Sequence, residues 1–180
     1  HLSINYPARF QLVATMNPCP CGRYSVARPD LCTCGIDSIR KYRARISGPL
    51  LDRIDIQIEV PPVPREALVG PPGEPSSAVR ERVAAARERA SRRLAGLPGI
   101  GPMRVNAAIP PGMVRDVCDV APEAKRYLAD LVAGWELSAR AFDRLLRVAR
   151  TIADLADRAE VEVEDVIRAA GFRVLDQGLA

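Results

Sequence analysis

The stretch SARAFDRLLRVARTIADLA (138–156) carries the strongest periodic signal in this chain. Phe142, Leu145, Leu146, Ala149, Ile152, Ala153 and Ala156 recur at steps of three and four, so on a helix of about 3.6 residues per turn they share one face. Ser138 stands just before them, where a hydroxyl accepts from the exposed N–H groups of a first turn. Arg140, Arg144 and Arg147 fall at i, i+4 and i+7 and form a basic stripe beside the apolar face, with Asp143 placed to pair with Arg147.

Outward from this helix the pattern stays helical. Pro122 suits a first turn and Gly134 a stop, with Leu128, Leu131 and Val132 on the inner side. A last helix is expected over 162–170, ending at Gly171 and packing through Val163, Val166 and Ile167. Upstream, Ser76 or Ser77 can cap a helix that runs to about Leu94 and ends at Gly96 and Pro98. Its seam of Val79, Val83, Ala86, Ala90 and Leu94 suits an ordinary bundle helix. Six Arg against two Glu over 76–93 make it the most basic segment, a solvated face in the first instance and a phosphate contact in the second.

Before that helix the composition changes. PPVPREALVGPPGEP (61–75) holds six prolines and two glycines, which reads as a linker unable to keep a helix or a central strand. Ile54, Ile56, Ile58 and Val60 alternate with Asp55, Gln57 and Glu59, the period of a half-exposed strand facing inward through its apolar set. Residues 10–16 are apolar and uncharged, as in a strand buried on both faces. The expected organisation is two or so strands of an α/β layer in 1–60, a linker over 61–75 and a helical domain over 76–180. The chain is thus mainly α.

With 48% apolar and 27% charged residues, the 180-residue chain has a globular composition, and its net charge of +4 favours acidic partners only weakly. No apolar run is long enough to span a bilayer and no signal-peptide pattern opens the chain, so a cytoplasmic location without membrane association is expected. Because the chain opens at His1 within strand-like sequence, it reads as part of a longer protein. Cys19, Cys21, Cys32 and Cys34 form C-x-C-x10-C-x-C in a Gly- and Pro-rich loop. Four thiolates complete a tetrahedral shell for structural Zn²⁺. One-residue spacing is tighter than the usual knuckle, and reduced thiols held by packing are the other reading. Cys118 has no sequence partner and reads as core. With His1 the only histidine, Ser-His-Asp and Cys-His catalysis are excluded.

FQLVATMNP (10–18) and ISGPLLDRID (46–55), together with the 138–156 helix, resemble the magnesium-chelatase-like AAA+ ATPases, and within them the bacterial competence branch. The resemblance implies the end of an AAA+ α/β core followed by a helical lid. It implies Asn17 as the sensor 1 residue at the end of a strand and Arg53 as an arginine finger acting on a neighbouring subunit's ATP. Arg43 and Arg45 compete for the finger role, and an ion pair of Arg53 with Asp52 or Asp55 is the plain structural alternative. Arg140 corresponds to the sensor 2 arginine that reaches nucleotide from the lid.

The phosphate-loop motif and the Asp-Glu strand for magnesium are missing here and in the family lie upstream. ATP and Mg²⁺ are therefore expected for a longer parent, and this polypeptide alone is expected neither to bind ATP tightly nor to hydrolyse it. The implied whole is a ring, a hexamer by resemblance, serving as a helicase or branch-migration motor on DNA during recombination of incoming strands. A chelatase-type ATPase that remodels a protein partner, or a zinc-stabilised binding module without catalysis, are the alternatives. The ending GFRVLDQ (171–177) follows the family loosely and leaves the role of Arg173 open.

Overall fold

A computed structural model describes Ile4, residues 10–25 and residues 29–173. His1 and residues 174–177 of the GFRVLDQ ending lie outside the described residues. The chain divides into two compact units, residues 1–47 and residues 48–180.

The first unit contains a 3-10 turn, Pro29–Leu31, and helix α1, Ile36–Arg43. The second contains α2 (Gly48–Leu51), α3 (Arg65–Val69), α4 (Ser76–Arg93), α5 (Val114–Val117), α6 (Pro122–Gly134), α7 (Ala139–Leu155) and α8 (Val163–Ala170). The chain is mainly α, as expected, and the long helices fall where the periodicity put them.

α7 is the axis of the second unit, packing against α4, α5 and α8. Its Ser138 hydroxyl accepts from the Ala141 N–H at 3.1 Å, the expected cap. Leu145, Leu146, Ala149 and Ala153 are buried together with Leu128, Val166, Leu94 and Cys118, so one apolar core is shared by all four long helices. α6 and α7 end without a glycine in the left-handed position. Glu136 and Asp157 take φ of 49° and 60° there. The cost is offset by hydrogen bonds from Leu137 N–H to the Val132 carbonyl (3.2 Å) and from Arg158 N–H to the Ala153 carbonyl (2.9 Å).

Several expectations are corrected. The two strands do not form: residues 10–16 are exposed without ladder hydrogen bonds, with Phe10 and Val13 at 77% and 80% accessibility. In 54–60 the facing is inverted, because Gln57 is buried while Ile56, Ile58 and Val60 are exposed. Gln57 N–H donates to the Phe172 carbonyl at 2.7 Å, and the parallel bridge Gln57–Arg173 is the whole of the pairing there. A strand needs a neighbour for its N–H and C=O groups, and the described residues supply only this one rung.

The proline-rich segment is exposed but does hold α3, since REALV between Pro64 and Gly70 is free of proline. Ser76 and Ser77 lie inside the first turn of α4, after Pro75, and neither caps it. Ile167 is half exposed and Asp165 takes the buried place on α8. Asp165 closes a capping box with Glu162 and pairs with Arg158. Asp143 does not hold Arg147, whose guanidinium donates to the Ile109 carbonyl at 2.9 Å.

Candidate metal centre

Local geometry gathers the four cysteines. Cys19-Pro20-Cys21-Gly22 is a tight turn closed by Gly22 N–H to the Cys19 carbonyl at 3.0 Å, with Pro20 at its second position and Gly22 at φ 77°. The second pair lies between the Pro29–Leu31 turn and Gly35, which opens α1. At the other end of α1, Arg43 Nε donates to the Pro18 carbonyl at 3.2 Å and its guanidinium sits 5.4 Å from the Tyr24 ring centre.

The four Sγ atoms all lie within 4.8 Å of one another. Cys19 to Cys21 is 3.3 Å, and Cys32 is 3.7 Å from each of them. A tetrahedral zinc with Zn–S of about 2.3 Å sets its sulphurs about 3.8 Å apart, so the donor set fits such an ion. These separations are far above a disulfide bond, and the cysteines are free thiols.

Backbone N–H groups face the sulphurs. The N–H groups of Arg23 and Thr33, with Cys19, lower the Cys21 thiol to about 5. At Cys19, burial and Cys21 oppose ionisation, but the Tyr24 N–H and Cys32 bring the thiol below its ordinary value. The Cys34 N–H, 3.4 Å from the Cys32 sulphur, favours a thiolate there, yet burial and the Cys19 and Cys21 sulphurs push Cys32 up to about 12. Cys34 is raised as well: the Cys21 backbone N–H favours its thiolate, and burial with the neighbouring sulphurs outweighs it. A cation bound among these crowded sulphurs would favour the thiolate at all four positions. The cluster can hold a metal ion, and a soft four-sulphur shell suits zinc or an iron–sulphur centre.

Asn17 is exposed beside this turn, its Cγ 3.7 Å from where a Cβ on Gly22 would stand. Arg53 and Arg140 belong to the second unit. Arg53 is exposed and donates Nη1 to the Pro49 carbonyl at 2.6 Å, without pairing with either flanking aspartate. Asp52 instead accepts from the Ser138 hydroxyl at 3.2 Å and faces Arg173 at 3.9 Å, while Asp55 binds Arg144 at 2.5 Å. Arg140, two residues beyond Ser138, is exposed with no carboxylate partner among the described residues. The local ion pair that would have accounted for Arg53 is thus absent. Arg173, whose role the sequence leaves open, is 1% exposed and buried against Asp52 and Ile54.

Two features define the class of the chain: a tetracysteine loop able to take a metal, and a helical bundle whose central helix holds an Arg-bearing LLDR turn. Residues 1–68 match the family described as magnesium chelatase, subunit ChlI, and residues 73–173 match its C-terminal counterpart. The chain belongs to the magnesium chelatase ChlI family. It is 38% identical to YifB of Escherichia coli (strain K12) over 97% of its own length and 33% of that relative's. With Rv2897c of Mycobacterium tuberculosis (strain ATCC 25618 / H37Rv) the identity is 39%, over 93% of this chain and 32% of that one. Competence protein ComM of Haemophilus influenzae (strain ATCC 51907 / DSM 11121 / KW20 / Rd) is 37% identical over 96% of this chain and 32% of its own. The chain therefore spans about a third of the length of these relatives. No helix among the described residues is long and apolar enough to cross a membrane.

Proposed function

We propose that this chain is the distal part of an ATP-hydrolysing AAA+ ring motor that works on DNA in the cytoplasm. What carries the reading is the state of Arg53. Its two neighbouring aspartates are committed to Ser138, Arg173 and Arg144, so its guanidinium stays exposed and charged on a turn held in place. A guanidinium so placed has the fork geometry that phosphate oxygens require, and in a ring it acts on the nucleotide of the adjoining subunit. Arg140, exposed at the start of α7, serves as the sensor 2 group, and Asn17 as the sensor 1 amide. ATP with Mg²⁺, held by upstream sequence, supplies the transferable phosphoryl group.

Asp52 joins the finger turn to the cap of α7, so a movement of the lid displaces Arg53 with it. Cys19, Cys21, Cys32 and Cys34 hold a structural Zn²⁺ that ties their loop to α1. The sequence relation to a protein named for competence supports DNA as the substrate. The family's description supports a second reading, in which the motor remodels a protein partner within a chelatase.

The deciding measurement is the ATPase rate of the full-length protein, with and without forked or four-way DNA, for wild type and Arg53→Ala. Stimulation by DNA and a loss of about 10³-fold or more in Arg53→Ala with the ring intact are expected. Turnover indifferent to DNA favours protein remodelling, and turnover unchanged in Arg53→Ala removes the finger assignment.

A further inference from the structure

The sequence points to α4 as the cationic face, yet most of that charge is spent inside the second unit. Arg82 grips Glu74 through two bonds of 2.5 and 3.0 Å, and Arg92 pairs with Glu88 at 2.9 Å. Arg89 pairs with Asp157, and Arg93 binds the Asp154 carboxylate through two bonds of 2.7 Å. Only Arg80 and Arg87 lack a carboxylate among the described residues.

The cysteine unit is the reverse case. Residues 19–45 contain six Lys or Arg against Asp30 and Asp37, a local +4. Ser38, Lys41, Tyr42 and Arg45 recur at i, i+3, i+4 and i+7, so they share one side of α1 and its extension. Together with Pro20 of the cysteine turn they line an open depression of about 560 Å³. Lys41 and Arg45 are exposed and have no carboxylate partner among the described residues. The Arg45 guanidinium lies 5.9 Å from the Tyr42 ring centre. The negative end of α1 favours cations in its last turn, which accounts for their being tolerated but not for their convergence with an aromatic ring on one concavity.

We propose that this depression binds single-stranded nucleic acid, with phosphates on Lys41, Arg45 and the Ser38 hydroxyl and a base against Tyr42. Single strands are held by this pairing of cation and ring, because every base has a stacking face and the backbone is uniformly anionic. A duplex keeps its bases stacked away from Tyr42. The assignment names the strand-contacting surface within the DNA-motor reading, and it is tested without ATP turnover.

The experiment is fluorescence anisotropy of the 180-residue chain with dye-labelled oligothymidylate across a salt series. Lys41→Glu/Arg45→Glu is expected to weaken binding by about tenfold or more and to flatten the log-log salt slope by about 1.4. Tyr42→Leu loses about fivefold or more with the slope unchanged, since it removes stacking and no charge. Arg80→Glu/Arg87→Glu on α4 stays within about twofold of wild type by the same accounting. These positions are exposed or half-exposed, and unchanged circular dichroism confirms that each variant folds. Wild-type affinity in Lys41→Glu/Arg45→Glu, a loss confined to the α4 variant, or displacement of the oligonucleotide by excess ATP overturns the proposal, the last by making the site a nucleotide pocket. A full-length ATPase indifferent to DNA, alongside the expected binding results, removes the motor reading and leaves this surface standing.

Discussion

Arg150, fully buried on α7, shows what a charge inside this bundle requires. Its guanidinium donates to the carbonyls of Arg158 and Ala159 at 2.6 Å each and faces Asp154 at 3.1 Å. Asp154, 1% exposed, also takes Arg93 and the Asn106 amide at 2.8 Å. Burial alone would raise the Asp154 carboxyl, but Arg93, Asn106 and Arg150 hold it below its ordinary value. Its folded pKa is thus depressed, so its contribution to stability is present above the ordinary carboxylate range and lost as pH falls through the folded value. Asp154→Ala leaves two guanidinium groups uncompensated and should cost about 3 to 5 kcal/mol. Trp135 is the single tryptophan and lies in this unit, so denaturant unfolding followed by its fluorescence reads the loss. A change under about 1 kcal/mol would show that the network is dispensable. Cys118 gives a second case with the opposite sign. Burial raises its thiol from 9.0 to about 11, so the folded state resists ionisation longer than the unfolded chain. Stability from this group is complete below pH 9.0 and declines as pH rises through about 11. The same fluorescence assay on Cys118→Ala should remove that part of the alkaline decline, and parallel curves for variant and wild type would refute it.

Among the elements, the turn and extended segment over 48–60 are held against α7 and the end of α8, where Arg173 also reaches Asp52 and the Ile54 carbonyl. Asp52 holds the α7 cap, Asp55 holds Arg144, and Gln57 N–H reaches the carbonyl after α8. Since one rung of pairing is present among the described residues, the segment depends on these contacts instead of a ladder. Asp55→Asn weakens the charged grip without changing size. Hydrogen exchange of the Gln57 amide should then accelerate by about tenfold, reporting local opening while α7 amides stay protected. Unchanged exchange at Gln57 would mean that Asp55 does not hold the segment. The same logic explains why the alternation of Ile54, Ile56, Ile58 and Val60 misled. A period of two names a strand but not the sheet that must receive it.

At the scale of the molecule the two units differ in how they are stabilised. The second has a continuous apolar core, whereas among the described residues of the first only Cys19 and Ile39 are buried hydrophobics. Among these residues so small a core offsets little of the entropy of ordering the loop, and on the proposed reading a metal held by the four cysteines adds to its stability. Metal analysis should find one zinc per chain. Chelation should abolish hydrogen-exchange protection in α1 and leave α7 and α8 protected. Retained protection of α1 after complete metal removal would show that the thiols pack unaided.

Helix placement was legible in the chain because a helix is local: periodicity over 138–156, Pro122 and the capping Ser138 act within a few residues. The cysteine grouping was legible as composition, but its one-residue spacing left open whether four sulphurs could meet. Only the tertiary structure decided that, by bringing the 19–22 turn onto the segment before α1. It also decided the partners of the charges. Asp52, Asp55 and Arg173 are far apart in the chain from the groups they bind, and nothing in local pattern distinguishes an Arg paired with its neighbour from one left free by its neighbour's distant contact. The exposure of Arg53 and the pairing of Arg89 and Arg93 with Asp157 and Asp154 are consequences of such long-range choices, made where desolvation and hydrogen bonding are settled together.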